Sequence, residues 1–182
     1  MEKFEIACLV DNSAGVLTRV TSMFTRRGFN INSLTVGTTE DPNLSRITIS
    51  VNGDENIRSQ CIKQLRKLYN VREVREMLPK EVVSRELALI KLKNNRITRP
   101  EIVSAVDIFR CKIIDFSPNT LCVEITGETS KIDAFIAVVE PYGILEMCRT
   151  GVVNLQRGCH YLDQSKDRPE LVEVDLVDTE IE

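Results

Sequence analysis

The sequence predicts an α+β protein built from two βαββαβ units in tandem. In some segments every second residue is apolar, and in others apolar residues recur at helical spacing. The same order of six elements occurs twice along the 182-residue chain. Such units are ferredoxin-like, with an antiparallel sheet and two helices on one face. We expect one domain over 1–78, a second over 79–158 and a flexible acidic tail over 159–182.

The first unit begins with the strand-like segment KFEIACLV. Helical spacing follows and ends in Arg26, Arg27 and Gly28, a cationic last turn with a glycine stop. Two strands, over Asn30 to Thr38 and in SRITISVNG, are joined by a turn in EDPN. A helix from Asp54 to Tyr69 and the short strand NVREVREM complete the unit.

The second unit follows the linker LPKEVVS and repeats this order. The segment RELALIKLK is predicted to be a strand, and TRPEIVSAVDIFR carries the helix-start signals Thr98, Pro100 and Glu101. Two strands, a helix and a last strand are then predicted in CKIIDFS, TLCVEITG, TSKIDAFIAVVEPYG and ILEMCRTG. Because each sheet would leave one face and one edge uncovered, we expect the chain to pair with a second copy.

Charge and hydropathy exclude two classes of partner. The formal net charge is −3, and the segment from Cys159 to Glu182 holds eight acidic residues against Lys166 and Arg168. The rest of the chain is therefore only mildly basic and contains no tryptophan, so we expect no nucleic-acid partner. No apolar run is long enough to cross a bilayer, and the N-terminus lacks a signal-peptide layout. We expect no membrane partner and a cytoplasmic location.

The sequence also predicts that the chain is not an enzyme and holds no metal or cofactor. The six cysteines are widely spaced without a CxxC pair and are expected to be reduced, and His160 is the single histidine. Most acidic residues alternate with Lys or Arg on helix faces, which is typical of a solvated surface. The loop after the first strand has neither the arginine of an acylphosphatase-like phosphate loop nor the CxxC of a metal carrier. An RNA-binding version would need aromatic residues where the chain has Ile47, Ile49 and Val51.

The candidate binding site is the start of the first predicted helix. A helix N-terminus presents unpaired backbone N–H groups and partial positive charge, and Gly15 lets an anion approach the backbone. We expect Asn12 or Ser13 to cap the helix, and the amide of Asn30 can meet both an ammonium and a carboxylate group. A small zwitterion such as an aliphatic amino acid suits this pattern, although a simple cap and turn would explain the same residues. The candidate residues are Asn12, Ser13, Ala14, Gly15, Val16, Leu17, Asn30 and Ile31.

Longer motifs carry a family resemblance. The segment LVDNSAGVLTRVTSMFTRRGFNINSLTVGTTEDPNLSRITISVNGDE resembles the ACT domain of the small, regulatory subunit of acetohydroxyacid synthase, also called acetolactate synthase. The segment IFRCKIIDFSPNTLCVEITGETSKIDAFIAVVEPYGILEMCRTGVVNLQRG resembles the C-terminal domain of the same family. The likeness extends over residues 2–158, whereas the acidic tail departs from the family.

The resemblance implies a regulatory subunit. It would activate a separate catalytic subunit, which uses thiamine diphosphate, Mg²⁺ and FAD, in the biosynthesis of valine, leucine and isoleucine. It would also confer feedback inhibition, typically by valine, with leucine or isoleucine as the other candidates. The effector would lie between the ACT domains of a homodimer, and the second unit would engage the catalytic subunit. The alternative is a stand-alone ACT-domain amino-acid sensor that regulates a different enzyme.

Overall fold

The first predicted unit is present in the computed structural model, which describes residues 2–163. Its elements are β1 (Glu2–Asp11), α1 (Val16–Arg26), β2 (Ile31–Thr38), β3 (Leu44–Gly53), α2 (Glu55–Leu65) and β4 (Val71–Glu76). The four strands form an antiparallel sheet in the order β2-β3-β1-β4. The βαββαβ order predicted for this unit is therefore confirmed.

The second unit also has the predicted order, with one strand added. Its elements are β5 (Val82–Lys93), α3 (Arg99–Ile108), β6 (Lys112–Phe116), β7 (Thr120–Gly127), α4 (Thr129–Val139), a 3₁₀ turn (Glu140–Tyr142), β8 (Ile144–Arg149) and β9 (Val153–Gln156). The sheet order is β6-β7-β5-β8, and β9 pairs with the first four residues of β5. β5 thus begins inside the segment predicted to be a linker. The start of β5 is a strand because it pairs with β9, which was not predicted from the sequence.

Each sheet buries a core against its own two helices. In the first unit Ile6 and Ile49 are cross-strand neighbours and fully buried, and α1 packs Val20 and Phe24 against them. The second unit repeats the arrangement with a separate cluster that includes Ile90 on β5. Alternating apolar residues on the strands and helical spacing on α1 account for both cores.

Two helix boundaries differ from the prediction. α2 ends at Leu65, and the following turn leaves Tyr69 91% exposed, so this part of the apolar pattern is not helical. At the start of α3 the side chain of Thr98 makes no capping hydrogen bond. Instead, Asn95 Oδ1 accepts hydrogen bonds from the backbone N–H groups of Ile97 and Thr98, at 2.9 and 2.8 Å. An asparagine turn therefore replaces the predicted capping box.

The face of the first sheet that points away from α1 and α2 is partly covered by the same chain. The sequence predicted that this face would be left open for a second copy. Ala7 and Leu9 of β1 instead pack with Met77, Val82 and Leu162. Leu162 falls within the predicted acidic tail, whereas residues 164–182 lie outside the described residues. The flexibility of that tail stays a prediction.

Polar contacts complete the joint between the two units. They come from the segment 149–157, which we call the closing segment and which contains the RTGV motif of the family resemblance. Thr35 Oγ1 donates to the carbonyl oxygen of Thr150 at 2.8 Å, and Asn154 Nδ2 donates to Glu5 Oε2 at 2.9 Å. Asn154 Oδ1 also accepts a 3.5 Å hydrogen bond from Arg46. The closing segment therefore connects β1, β2 and β3 to the second unit.

The described residues contain no disulfide bond. All six cysteines are free thiols, with Cys8 and Cys61 buried but Cys148 and Cys159 exposed. The expectation of buried core cysteines thus holds for only some of them. Of the helices between residues 2 and 163, none combines the length and the apolar character needed to cross a membrane.

Candidate functional site

The start of α1 is a glycine-bounded turn without a side-chain cap. Gly15 is the N-cap residue and has a φ of 83°, in the left-handed region that favours glycine. The prediction that Asn12 or Ser13 caps the helix is wrong. Asn12 instead faces the turn between β2 and β3, where its Nδ2 donates to the carbonyl oxygen of Pro42 at 2.9 Å. Its backbone N–H donates to the carbonyl oxygen of Asn43 at 2.7 Å.

This helix start is open to an anion. No described residue accepts a hydrogen bond from the backbone N–H groups of Leu17 and Thr18. An added Cβ at Gly15 would meet no atom within 4 Å, so the space beside the backbone is open. These N–H groups can bind a carboxylate with the help of the helix dipole.

The candidate side chains at the helix start differ in their exposure and therefore in whether a ligand can contact them. Asn12, Ser13 and Ala14 are exposed. Val16 is only 5% exposed and packs in the core, so it can meet a ligand through its backbone alone. Leu17 is 42% exposed and is the apolar side chain that a ligand could contact.

A polar network lies beside this turn and could not be recognised from the sequence. Arg72 Nε donates to Asp11 Oδ1 at 2.7 Å, and Asn70 Nδ2 donates to Asp11 Oδ2 at 3.1 Å. Arg19 on α1 donates to Asn70 Oδ1. The hydrogen bond from Arg72 lowers the pKa of Asp11, although partial burial acts in the opposite direction. The network ties the end of β1 to α1 and to the turn before β4, and places Arg19 near the helix start.

Asn30 and Ile31 lie at the other end of the unit. They follow α1, whose 11 residues span about 16 Å, so they are separated from Gly15 by the length of that helix. Ile31 pairs with Val51 of β3, at the opposite end of the sheet from Asn12. Within one chain, therefore, the structure brings together residues 12–17 but leaves Asn30 and Ile31 apart. A site containing all eight candidates requires two chains.

The described residues offer no candidate metal centre. Between residues 2 and 163, no group of three or more His, Cys, Asp and Glu side chains is arranged to hold a metal ion.

Known proteins match both units of the chain. Residues 6–73 match the family model of the AHAS small subunit-like ACT domain, and residues 85–158 match that of the small subunit of acetolactate synthase. The acetolactate synthase small subunit of Mycolicibacterium smegmatis is 47% identical over 153 residues, covering 84% of this chain and 90% of the relative. The chain belongs to the acetolactate synthase small-subunit family.

Two further members of the acetolactate synthase small-subunit family also match over most of the chain. The probable small subunit of Archaeoglobus fulgidus is 49% identical over 156 residues, or 86% of this chain and 98% of the relative. The crystal structure of the small subunit from Thermotoga maritima has a TM-score of 0.79 at 42% identity, covering 87% of this chain and 99% of that one. The family and the fold class predicted from the sequence are thus confirmed. A small, regulatory subunit also implies a catalytic large subunit as its partner.

Proposed function

We propose that this chain activates the catalytic subunit of acetolactate synthase and makes it sensitive to feedback inhibition by a branched-chain amino acid, most favourably valine. The observation that carries the proposal is the uncapped, glycine-bounded start of α1 in a chain of this family. The site has the chemistry for a small zwitterion and lacks the converging acids, bases or nucleophiles that catalysis needs.

The ligand's carboxylate binds the free N–H groups of Leu17 and Thr18, where Gly15 leaves the approach open. Its aliphatic side chain lies against the exposed side chain of Leu17. Its ammonium group meets the amide oxygen of Asn30. The nearby positive charge of Arg19 favours the carboxylate end.

Asn30 and Ile31 come from a second copy of the chain in this proposal. Their separation from Gly15 within one chain supports a homodimer formed through the first units. Among the described strands β2 pairs only with β3, so its outer edge is available to a partner. A two-fold dimer would then contain two equivalent effector sites.

The two units have separate roles in this proposal. Residues 1–78 form the ACT domain, which binds the effector and dimerises, and residues 79–158 engage the catalytic subunit. Thiamine diphosphate, Mg²⁺ and FAD are assigned to that partner rather than to this chain. The complex works in the cytoplasm, in the pathway to valine, leucine and isoleucine.

Feedback inhibition requires only a modest difference in affinity. An effector that acts at about 0.1 mM binds with roughly −5.5 kcal/mol, and a coupling of about 1–3 kcal/mol is enough for regulation. The ligand must therefore prefer one arrangement of small and catalytic subunits over the other.

Reconstitution with the catalytic subunit of the same organism tests the proposal. We expect the full chain to increase acetolactate formation, and valine, leucine and isoleucine, each titrated separately, to reduce it with valine acting at the lowest concentration. Unchanged acetolactate formation on adding the chain would contradict the proposal and favour the stand-alone sensor. Activation without inhibition by any of the three would contradict the effector assignment alone.

A further inference from the structure

A polar cavity lies away from the α1 site, between the two units. Its volume is about 490 Å³. It lies on the face of the first sheet opposite α1 and α2, and none of the eight candidate effector residues lines it. The side chains that matter for the argument are Lys3, Ser33, Ser50 and Asn52 from the sheet, with Thr129 and Arg149 from the second unit.

Ser50 forms part of this cavity and has a buried hydroxyl group without a partner. Its neighbours Ile49 and Val51 point into the helix-facing core, so the side chain of Ser50 points to the opposite, cavity-lining face. Ser50 is 0% exposed, and its Oγ has no hydrogen-bond partner among residues 2–163. Buried hydroxyl groups without partners are rare and unfavourable, which indicates a missing polar group.

Thr129, the first residue of α4, lines the same cavity, whereas the next residue, Ser130, lines a different one. This helix has 11 residues and no side-chain cap at Glu128. The backbone N–H groups of Thr129 and Ser130 have no acceptor in the part of the chain that the structure describes. The hydroxyl group of Thr129 is occupied, because it donates to Glu86 Oε2 at 3.1 Å. The free N–H group of Thr129 and the helix dipole thus favour a negative group at this end of the cavity.

The lining charges select a singly charged ligand. Arg149 binds Glu86 and Asp133, so its guanidinium group is engaged. Hydrogen bonds from Arg149 lower the pKa of Glu86, and the nearby charge of Lys3 adds a smaller effect. Lys3 forms no ion pair within the described residues. Its charge remains available, whereas the lining as a whole is close to neutral and would disfavour a multiply charged phosphate compound.

We propose that this cavity binds a small organic carboxylate that carries a second polar group. The carboxylate binds Lys3 Nζ and the free N–H group of Thr129, and the second group binds the Ser50 hydroxyl and the Asn52 amide. A hydroxy acid and a polar amino acid share this chemistry. Because both units line the cavity, the ligand favours one arrangement of the two units over others. The proposal does not rest on the proposed function.

Backbone amide NMR on the full chain tests this site, with L-lactate and L-serine as separate probes at tens of millimolar. We expect one or both to shift the amide signals of Ser50, Thr129 and Gly151, while valine shifts those of Leu17 and Thr18. Because the probes and valine are expected to shift different amide signals, the experiment distinguishes binding in this cavity from binding at the α1 site without the use of a variant. The probe that produces the larger shifts shows whether the cavity prefers a hydroxy acid or an amino acid.

Two variants test the assigned contacts. We expect Ser50→Ala and Lys3→Gln each to weaken probe binding by roughly tenfold, since each removes one polar contact, and the latter removes the charge. Lys112→Gln, which changes an exposed lysine on β6, is the matched control and should leave binding unchanged. Absence of shifts with both probes, or shifts that persist in both variants, would overturn the proposal.

Discussion

Arg149 holds the carboxylate of Glu86 by two hydrogen bonds, from Nε at 2.6 Å to one oxygen and from Nη2 at 2.9 Å to the other. Glu86 lies on β5 and is only 4% exposed. From the end of β8, Arg149 also donates through Nη1 to Asp133 of α4 at 2.8 Å. The pair therefore joins β5, β8 and α4 beside the closing segment. Its loss should affect the second unit first.

We expect Glu86→Gln to lower the free energy of unfolding by about 2 kcal/mol. Removing one partner of a buried pair leaves the other charge uncompensated, but Arg149 is partly exposed and keeps Asp133, so the loss is smaller than the roughly 3–5 kcal/mol typical of a fully buried pair. Urea denaturation measures the change. Glu124→Gln on β7 is the control, because Glu124 has no ion pair among the described residues. Equal stability of the two variants would show that the pair contributes nothing.

The same pair predicts a pH dependence. Hydrogen bonds from Arg149 lower the pKa of Glu86 below its ordinary value of 4.5. A lowered folded-state pKa means that the stabilisation is complete above the unfolded value and is lost as pH falls through the folded value. We expect the stability difference between the wild type and Glu86→Gln to be constant near neutral pH and to shrink below about pH 4.5. A difference that grows on acidification would contradict this origin.

Local patterns in the sequence were sufficient to predict most of the fold. Alternation in β1 and β3 and helical spacing in α1 follow directly from which residues pack in the core. β9 was not predicted because it has only four residues, which is too short for a clear alternating pattern, and because its partner in β5 lies about 70 positions away in the sequence. The coverage of Ala7 and Leu9 by Leu162 also depends on long-range packing that no local pattern encodes.

The candidate site was predictable only in part, for the same reason. Gly15 was identified because a glycine before an amphipathic segment indicates a special turn. The partners of Asp11, which are Asn70 and Arg72, lie about 60 positions away and carry no common motif. Capping by Asn12 was predicted wrongly, because a tertiary partner, the carbonyl oxygen of Pro42, competes for its side chain.

We expect Gly15→Asp to abolish amino-acid inhibition while leaving most activation of the catalytic subunit intact. The new carboxylate would occupy the open space at the start of α1, where the ligand's carboxylate is proposed to bind. Inhibition curves with valine and calorimetry on the isolated chain measure the effect.

The control for this change is Gly158→Asp. Gly158 also has a positive φ and no atom within 4 Å of an added Cβ, so the backbone strain and the added charge are matched at a position that follows β9 in the second unit. It should retain inhibition. If both variants lost inhibition and activation together, general destabilisation would explain the result and the site assignment would lose its support.

Asn30→Ala should weaken valine binding by roughly tenfold, because one hydrogen bond to a charged group is removed. Calorimetry on the full chain measures the affinity directly. Asn119→Ala, in the turn between β6 and β7, is the control and should bind normally. An unchanged affinity in Asn30→Ala would remove this residue from the proposed site. A loss accompanied by monomer formation, detected by light scattering, would assign it to the dimer contact instead.

Asn154→Ala should loosen the joint between the two units. Asn154 is 3% exposed and bonds both Glu5 and Arg46, and Arg46 Nε already has no partner in the described part of the chain. Truncation would leave Arg46 Nη2 with only the sulfur of Met77 as an acceptor and would remove the donor to Glu5, so we expect a loss of about 1–3 kcal/mol in the free energy of unfolding. Val153→Ala changes the neighbouring residue on the exposed face of β9 and should lose much less. Because Asn154 contacts Glu5 and Arg46 on the face of the first sheet opposite α1, valine affinity should be unchanged while inhibition of the reconstituted enzyme weakens. Equal inhibition in wild type and variant would show that this joint does not transmit the effector signal.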